Sequence, residues 1–447
     1  MWSMLEGGLR DSLRNPLAVP RLLYFAGLAL IGEVSFRPLS LTISDGLFFA
    51  ALVATAIELV RGPARATFQL PRPLVYGIGA FAVGGLISSL ASAHPLDSML
   101  ALARFIYIVL IWFWLGTVLI GRLRQLYTAV ALWSFSVAVV GLSAIVQLFW
   151  TKLPGMCALQ YCNYGGDTRF MGRMAGFTQA PNDLGGMAAI VLIPVLTLAT
   201  RPGISTTWRV VGNVFLLATV IGLIISGSIA AMAAAIVAVI LWVLLSGVSR
   251  KQIAAMAVVA ATIIVAVGLQ SAVRAQSPLQ RLEAVLAPAD PNASLNGRIK
   301  NDEATLQSIR ESPLIGIGLD SKSADDKLVG FGFRRGLGVH NFFLAAWLGG
   351  GLVALLGLLL IVGFILRLGY QTIRSTSHDP ESNRLAIALT IAFVTYMVFG
   401  IVSPTLYLRY GWVSAALLIA LANLRQARAG RPGESAFSPA AAGSNPR

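Results

Sequence analysis

Runs of about 20 apolar residues recur along the whole sequence, and they decide what it can fold into. A helix needs roughly 20 such residues to cross the hydrocarbon core of a bilayer. Hydrophobic residues make up 56% of the chain and charged ones 12%, about half the charged share of an ordinary soluble domain. A soluble enzyme and a disordered chain are both excluded on that ground. Spans are expected at about 22–38, 41–60, 73–91, 97–120, 125–150, 183–200, 209–227, 229–247, 253–270, 341–366, 384–404 and 407–424. The expected fold is therefore an all-α polytopic membrane protein of about 12 transmembrane helices with one large, partly helical loop. The seventh and eighth spans touch at Ser226-Gly227-Ser228 and are expected to form a tight helical hairpin. No internal repeat is visible, which argues against transporter folds built from duplicated halves.

The spans divide the chain into four parts. Residues 1–270 form an N-terminal transmembrane region of about nine spans, interrupted by a Gly-rich segment at 151–182. Residues 271–340 form the large loop, with helical patterns at Leu279–Leu286 and Arg298–Ile309. Residues 341–424 hold the C-terminal spans, and 425–447 form a Pro-, Gly-, Ser- and Ala-rich tail read as disordered. The first apolar run follows basic residues without a clear small-residue cleavage site, so it reads as a retained signal-anchor.

Orientation follows from Lys and Arg. With an even span count both termini share a side, and 19 of the 34 basic residues lie in segments on that side. The positive-inside rule makes it the cytoplasm. The same bias accounts for most of the net charge of +15 without any nucleic acid partner. Both long segments then face outward, away from the cytoplasm. Two cysteines, Cys157 and Cys162, are too few for a thiolate metal cluster. Their spacing permits a local disulfide in an oxidising compartment but does not require one.

Several chemistries lack their residues. There is no Walker motif, no Asp-x-Asp and no His-Glu-x-x-His, so no metal-ligand set is legible and none is expected. Three segments stand out instead. Arg173 precedes Pro181-Asn182-Asp183-Leu184-Gly185, which opens a span. Gly297-Arg298 precedes Pro313-Leu314-Ile315-Gly316-Ile317-Gly318. Arg334-Arg335 precedes His340-Asn341, which opens another span, with Gly349-Gly350-Gly351 following. Together, in this order and with these loop placements, they resemble the O-antigen ligase and polymerase superfamily. Two departures stand beside the resemblance. Many relatives have a Ser-Arg-Gly turn where this chain has Ser226-Gly227-Ser228, and a Trp where it has Asp302.

The resemblance implies an inverting glycosyltransferase of O-antigen, lipopolysaccharide or exopolysaccharide biosynthesis, with no cofactor, acting at the periplasmic face of a bacterial inner membrane. It implies an undecaprenyl diphosphate-linked glycan as donor and a sugar hydroxyl, on lipid A core or a growing glycan, as acceptor. The residues suit that chemistry. Arginine's planar fork grips phosphate oxygens and stays charged, which fits Arg173, Arg298 and Arg335 to the diphosphate. Because Arg334 and Arg335 are adjacent, at most one of them faces a site. Fixed cations that tighten on the leaving group lower the barrier without a metal, which gives Arg298 a catalytic part as well. His340, between a polar loop and a helix start, fits the base that takes the acceptor proton. Asn182 and Asn341 are supporting residues, read first as helix caps. Arg37, Arg104, Glu33 and Asp45 read as an ion-pair group near the outer ends of their spans, with a place bordering the donor groove as the alternative for Arg104, and His94 reads as loop surface. Ligase, polymerase and protein O-oligosaccharyltransferase remain open. A flippase of lipid-linked oligosaccharides needs mid-membrane charges, and the mid-span positions here are mostly Ala, Val, Leu and Gly. A non-catalytic assembly scaffold would not need His340.

Overall fold

The computed structural model describes residues 17–32, 35–36, 41–61, 70–149, 173–178, 180–246, 295–333 and 338–429. In chain order its elements are α1 (Ala18–Ala29), β1 (Ser35–Phe36), β2 (Leu41–Thr42), α2 (Ile43–Arg61), α3 (Arg72–Ala91), α4 (Pro95–Leu119), α5 (Leu123–Phe149) and α6 (Pro181–Ala199). There follow α7 (Thr206–Ile225), α8 (Ile229–Ser246), α9 (Leu295–Glu311), α10 (Ser321–Val329), α11 (Phe342–Ser375), α12 (Pro380–Gly400) and α13 (Arg409–Ala429). Nine of these, α2–α8, α11 and α12, are long and apolar enough to cross a membrane. The protein is thus a multi-pass, helical membrane protein.

Three differences from the sequence reading have physical causes. The expected first span, 22–38, breaks: α1 has 12 residues, about 18 Å at 1.5 Å per residue and too short for a bilayer core. Residues 30–32 turn, and Ser35–Phe36 form β1, with Ser35 paired to Thr42 and Phe36 to Leu41. The expected hairpin of α7 and α8 turns tightly at Ser226-Gly227-Ser228, but the helices then part. Helix α7 packs on α5 and α6, whereas α8 packs on α6 and α12. The wedge is α6, whose Gly185 sits so close to Ser226, Ser228 and Ala231 that a side chain would not fit. Helix α13 continues to Ala429, past the expected boundary at 424. The expected span 253–270, the helical pattern at Leu279–Leu286, Glu33, Arg37, Cys157, Cys162, Arg334 and Arg335 lie outside the described residues.

The turns sort into two faces. On one, Arg201 pairs with Glu381 and lies over the Tyr127 ring, Arg425 pairs with Asp379 at 2.8 Å, and Arg21 Nε donates to Leu119 O at 2.7 Å. On the other gather β2, the α3–α4 turn, the start of α6, the α7–α8 turn, α9, α10 and the α12–α13 connection. Asp45–Arg409, Ser92–Ser323, Arg173–Ser226 and Tyr407–Leu319 contacts tie these together. Arg21, Arg201 and Arg425, three of the basic residues that set the expected orientation, lie on the first face.

Helices α3 and α11 meet through glycines: a Cβ on Gly84 would stand 2.6 Å from Ala354 N. Small residues let backbones approach closely where lipid supplies no hydrophobic drive. Helix α11 is broken at Gly351 (φ 70, ψ −173). The break leaves the carbonyls of Leu348 and Gly349 and the N–H of Leu352 without helical partners. Backbone polar groups at this depth must be paired within the protein. The segment Pro313–Gly318 supplies the partners. Ile317 N donates to Leu348 O (2.9 Å), Gly318 N to Gly349 O (3.0 Å) and Leu352 N to Pro313 O (3.0 Å). Ser88 Oγ also donates to Gly349 O, and Trp347 Nε1 to Pro313 O at 3.0 Å.

Candidate functional site

The first part of the site is the start of α6. Residues 174–177 are pinned by their own amides: Met174 N to Ile225 O (3.2 Å), Ala175 N and Gly176 N to Gln147 Oε1 (3.1 and 2.8 Å), and Phe177 N to Ser143 Oγ (3.0 Å). This holds Arg173 across the α7–α8 turn. Its Nε donates to Ser226 O at 2.8 Å and its Nη2 to Asn182 Oδ1 at 2.6 Å. Gly227, at φ +59, keeps the turn bare where the Arg173 stem crosses it. Asn182 is therefore not the helix cap the sequence suggested. Ala180 is the N-cap and Pro181 opens the helix, which leaves the Asn182 side chain to orient Arg173.

The second part is the start of α11. Here Asn341 is the cap: its Oδ1 accepts from Phe343 N (3.0 Å) and Leu344 N (3.2 Å). Helix α9 lies against this helix end. Asn301 Nδ2 donates to Gly338 O (3.2 Å), and its Oδ1 accepts from His340 N (3.4 Å). One turn apart on α9, Arg298 and Asp302 complete the cluster. His340 is half-buried. Burial first, and the charge of Arg298 second, pull its imidazole down to about 4. It is neutral at pH 7, with a ring nitrogen lone pair available. Burial pushes the Asp302 carboxyl up, opposed by Arg298 and by a hydrogen bond with the Asn341 side chain. Asp302 Oδ1 is buried without a hydrogen-bond partner among the described residues.

The first turns of α6 and α11 both pack on the end of α12. Gly186 of α6 lies against the Phe399 ring, and Gly400 against Phe342. Below them Phe342, Tyr396 and Trp412 form a cluster with ring centroids 5.6–6.0 Å apart, a geometry that adds about 0.5–1.5 kcal/mol per pair beyond area burial. Tyr396 OH donates to Thr405 O at 2.7 Å, so the α12–α13 connection is fixed to the same floor.

Two cavities open on this face. One, of about 340 Å³, is lined by Asp97, Arg104, Asp320, Lys322, Gly338 and Tyr407 among others. The other, of about 280 Å³, is lined by Asp45, Arg104, Thr178, Asp183, Tyr407 and Tyr410 among others. The first reaches the backbone just before His340, and the second reaches the segment between Arg173 and α6.

The structure thus gathers Arg298, His340 and Asn341 in one cluster and Arg173 with Asn182 in another, while Arg335 lies outside the described residues. It also corrects the expected ion-pair group. Asp45 pairs with Arg409, which also donates to Thr42 Oγ1 at 2.6 Å, and Arg104 is not part of it. His94 lies at the surface of the α3–α4 turn, as expected, with its Nε2 3.0 Å from Asp326. Sequence reading missed Asn301 and Asp302 as members of the site. The i, i+4 spacing of Arg298 and Asp302 on an expected helix was the available signal. Among the described residues no three His, Cys, Asp or Glu side chains are grouped closely enough to hold a metal ion.

Residues 214–360 match the family model described as O-antigen ligase. That match supports the O-antigen ligase and polymerase superfamily. It covers about a third of the chain, from within α7 to within α11, and so includes the Arg298–His340 cluster and the Ser226–Ser228 turn. It implies membrane glycan processing by a ligase- or polymerase-type, glycosyltransferase-like enzyme acting on a lipid-linked glycan and a sugar acceptor. A search of curated proteins found no match.

Proposed function

We propose that this protein moves a glycan from an undecaprenyl diphosphate donor to a sugar hydroxyl at the periplasmic face of the bacterial inner membrane, with both termini cytoplasmic. The observation that carries the reading is the Arg298–His340 cluster at a helix start, beside a cavity whose lining includes Asp97, Arg104, Asp320 and Lys322. The acceptor hydroxyl gives its proton to the imidazole of His340 as its oxygen attacks the anomeric carbon. The bond from that carbon to the diphosphate oxygen breaks, and the diphosphate leaves with the electron pair. A single in-line displacement inverts the anomeric centre. Arg298, with Arg173 and Arg335, binds the growing charge on the leaving group; a cation fixed before reaction needs no reorganisation to do so. Asn341 caps the start of α11, and Asn182 orients Arg173.

The low proton affinity of His340 fits this order of events. Without donor, Arg298 and burial keep the imidazole neutral. A bound diphosphate offsets the charge of Arg298, so the imidazole becomes a stronger base once the donor is in place. The acceptor is the sugar of a lipid A core or of a growing O-antigen or exopolysaccharide chain.

The test is His340→Gln and His340→Asn, assayed by turnover on a lipid-linked donor with protein level checked. An amide can hydrogen-bond but cannot act as a base near neutral pH. Loss of a general base costs about 10²–10⁴ in rate, with donor binding retained. Near-wild-type turnover in either variant would remove His340 from the role of base.

A further inference from the structure

Arg104 sits nine residues into α4 after Pro95, about 13–14 Å along the helix at 1.5 Å per residue. It lies toward the outer end of an apolar helix long enough to cross a membrane, where a charged side chain is costly unless it faces a cavity or a partner. Arg104 lines both cavities described above and is exposed to them. Pro404 and Tyr407 are the other residues the two share, so Arg104 stands at their junction. Tyr407 is held there by its OH, which donates to Leu319 O at 3.2 Å.

Three cations line these cavities. Lys322 is bonded to Asp97 at 2.7 Å, and Arg409 is paired with Asp45. Arg104 alone of the three makes no hydrogen bond or ion pair among the described residues. The acidic neighbours are already engaged. Asp45 and Asp97 hold those two cations, Asp320 accepts from Ser323, and Asp183 accepts from Tyr410. A guanidinium with no partner among the described residues, between two cavities that reach toward His340 and toward Arg173, has its whole fork available to an anion.

We infer that Arg104 binds the diphosphate of the polyprenyl donor, seating it where the two cavities join; this rests on the donor class proposed above. The sequence makes the role useful, because the turn at Ser226-Gly227-Ser228 carries no arginine of its own.

The test uses the full chain in phosphatidylcholine nanodiscs. Binding of undecaprenyl diphosphate is measured for the wild type, Arg104→Gln and Arg104→Lys, with thermal unfolding as the check on folding. Loss of a bidentate phosphate contact should weaken binding about tenfold or more in Arg104→Gln and less in Arg104→Lys, which keeps the charge but not the fork. In the transfer assay the KM for donor should rise in the same order. If Arg104→Gln does not fold, the Lys variant and competition by inorganic pyrophosphate on the wild type carry the test. Unchanged donor affinity in the folded variant, or wild-type affinity in the Lys variant with no competition by pyrophosphate, overturns the assignment. If phosphatidylglycerol displaces the donor equally well, the site is one for lipid headgroups and the assignment also fails. A wild type that transfers glycan while Arg104→Gln binds donor normally sinks Arg104 alone. A wild type that neither binds undecaprenyl diphosphate nor transfers glycan sinks the donor reading with it.

Discussion

Gly351→Ala tests the physical reason for the Pro313–Gly318 motif. At φ 70 and ψ −173 the residue occupies a region open essentially to glycine alone, and a side chain there costs about 1–3 kcal/mol in backbone strain. A Cβ would also overlap the carbonyl oxygen of Leu314. Relief requires the 313–318 segment to move away from α11. That movement loses the bonds Ile317–Leu348, Gly318–Gly349 and Leu352–Pro313, each worth about 0.5–1.5 kcal/mol net. Those bonds favour docking with or without the added Cβ, so the shift toward the undocked state is set by the strain, about 1–3 kcal/mol, or roughly five- to 150-fold more of that state. Hydrogen exchange at the amides of Ile317, Gly318 and Leu352 reads that population directly. Exchange there should accelerate by that factor while the amides of α6 and α12 stay protected, and turnover should fall because α9 and His340 lose their anchor. Unchanged protection at all three amides in Gly351→Ala would refute the claim that the broken helix and the loop hold each other.

Three further outcomes follow from the site. His340 stays neutral as pH falls through the ordinary histidine value of 6.5 and protonates only near 4, so the acid limb of kcat/KM should lie well below pH 6. Arg298→Gln removes one of the two lowering causes and should move that limb upward; a wild-type limb near 6.5 would contradict the assigned environment. Arg173→Lys and Arg298→Lys should each lose about tenfold or more in turnover while inserting normally, because an ammonium cannot reproduce the guanidinium fork. For Arg173 that fork spans Ser226 O and Asn182 Oδ1, and full activity in both Lys variants would leave them as surface charges. In a chain with Cys157 and Cys162 replaced by Ser, Ser321→Cys should be labelled by an impermeant reagent on intact cells and Arg374→Cys should not. The reverse pattern would invert the proposed orientation.

The sequence by itself determined the class of the protein. Twenty-residue apolar runs have few solutions in a bilayer, so the positions of α2–α8, α11 and α12 follow from composition alone, and the gathering of Arg201, Arg425 and Arg21 on one face follows from the charge bias. The candidates Arg298, His340 and Asn341 were legible because polar residues at a loop-to-span junction are few and the motif spacing is tight. What the sequence could not decide were relations between residues far apart along it. A local pattern does not say that Arg173 will lie over Ser226, 53 residues on, or that Asp45 will be taken by Arg409 and leave Arg104 facing the cavities. Nor does it say that Asn182 orients an arginine while Asn341 caps a helix, since the same side chain serves either end depending on where the first helical residue falls. The Gly349-Gly350-Gly351 run stood within an expected span, 341–366, and the loop that fills the break lies more than thirty residues earlier. Hydropathy and spacing are local sums. Partnering of buried polar groups is a property of the packed whole, and tertiary structure alone assigns it.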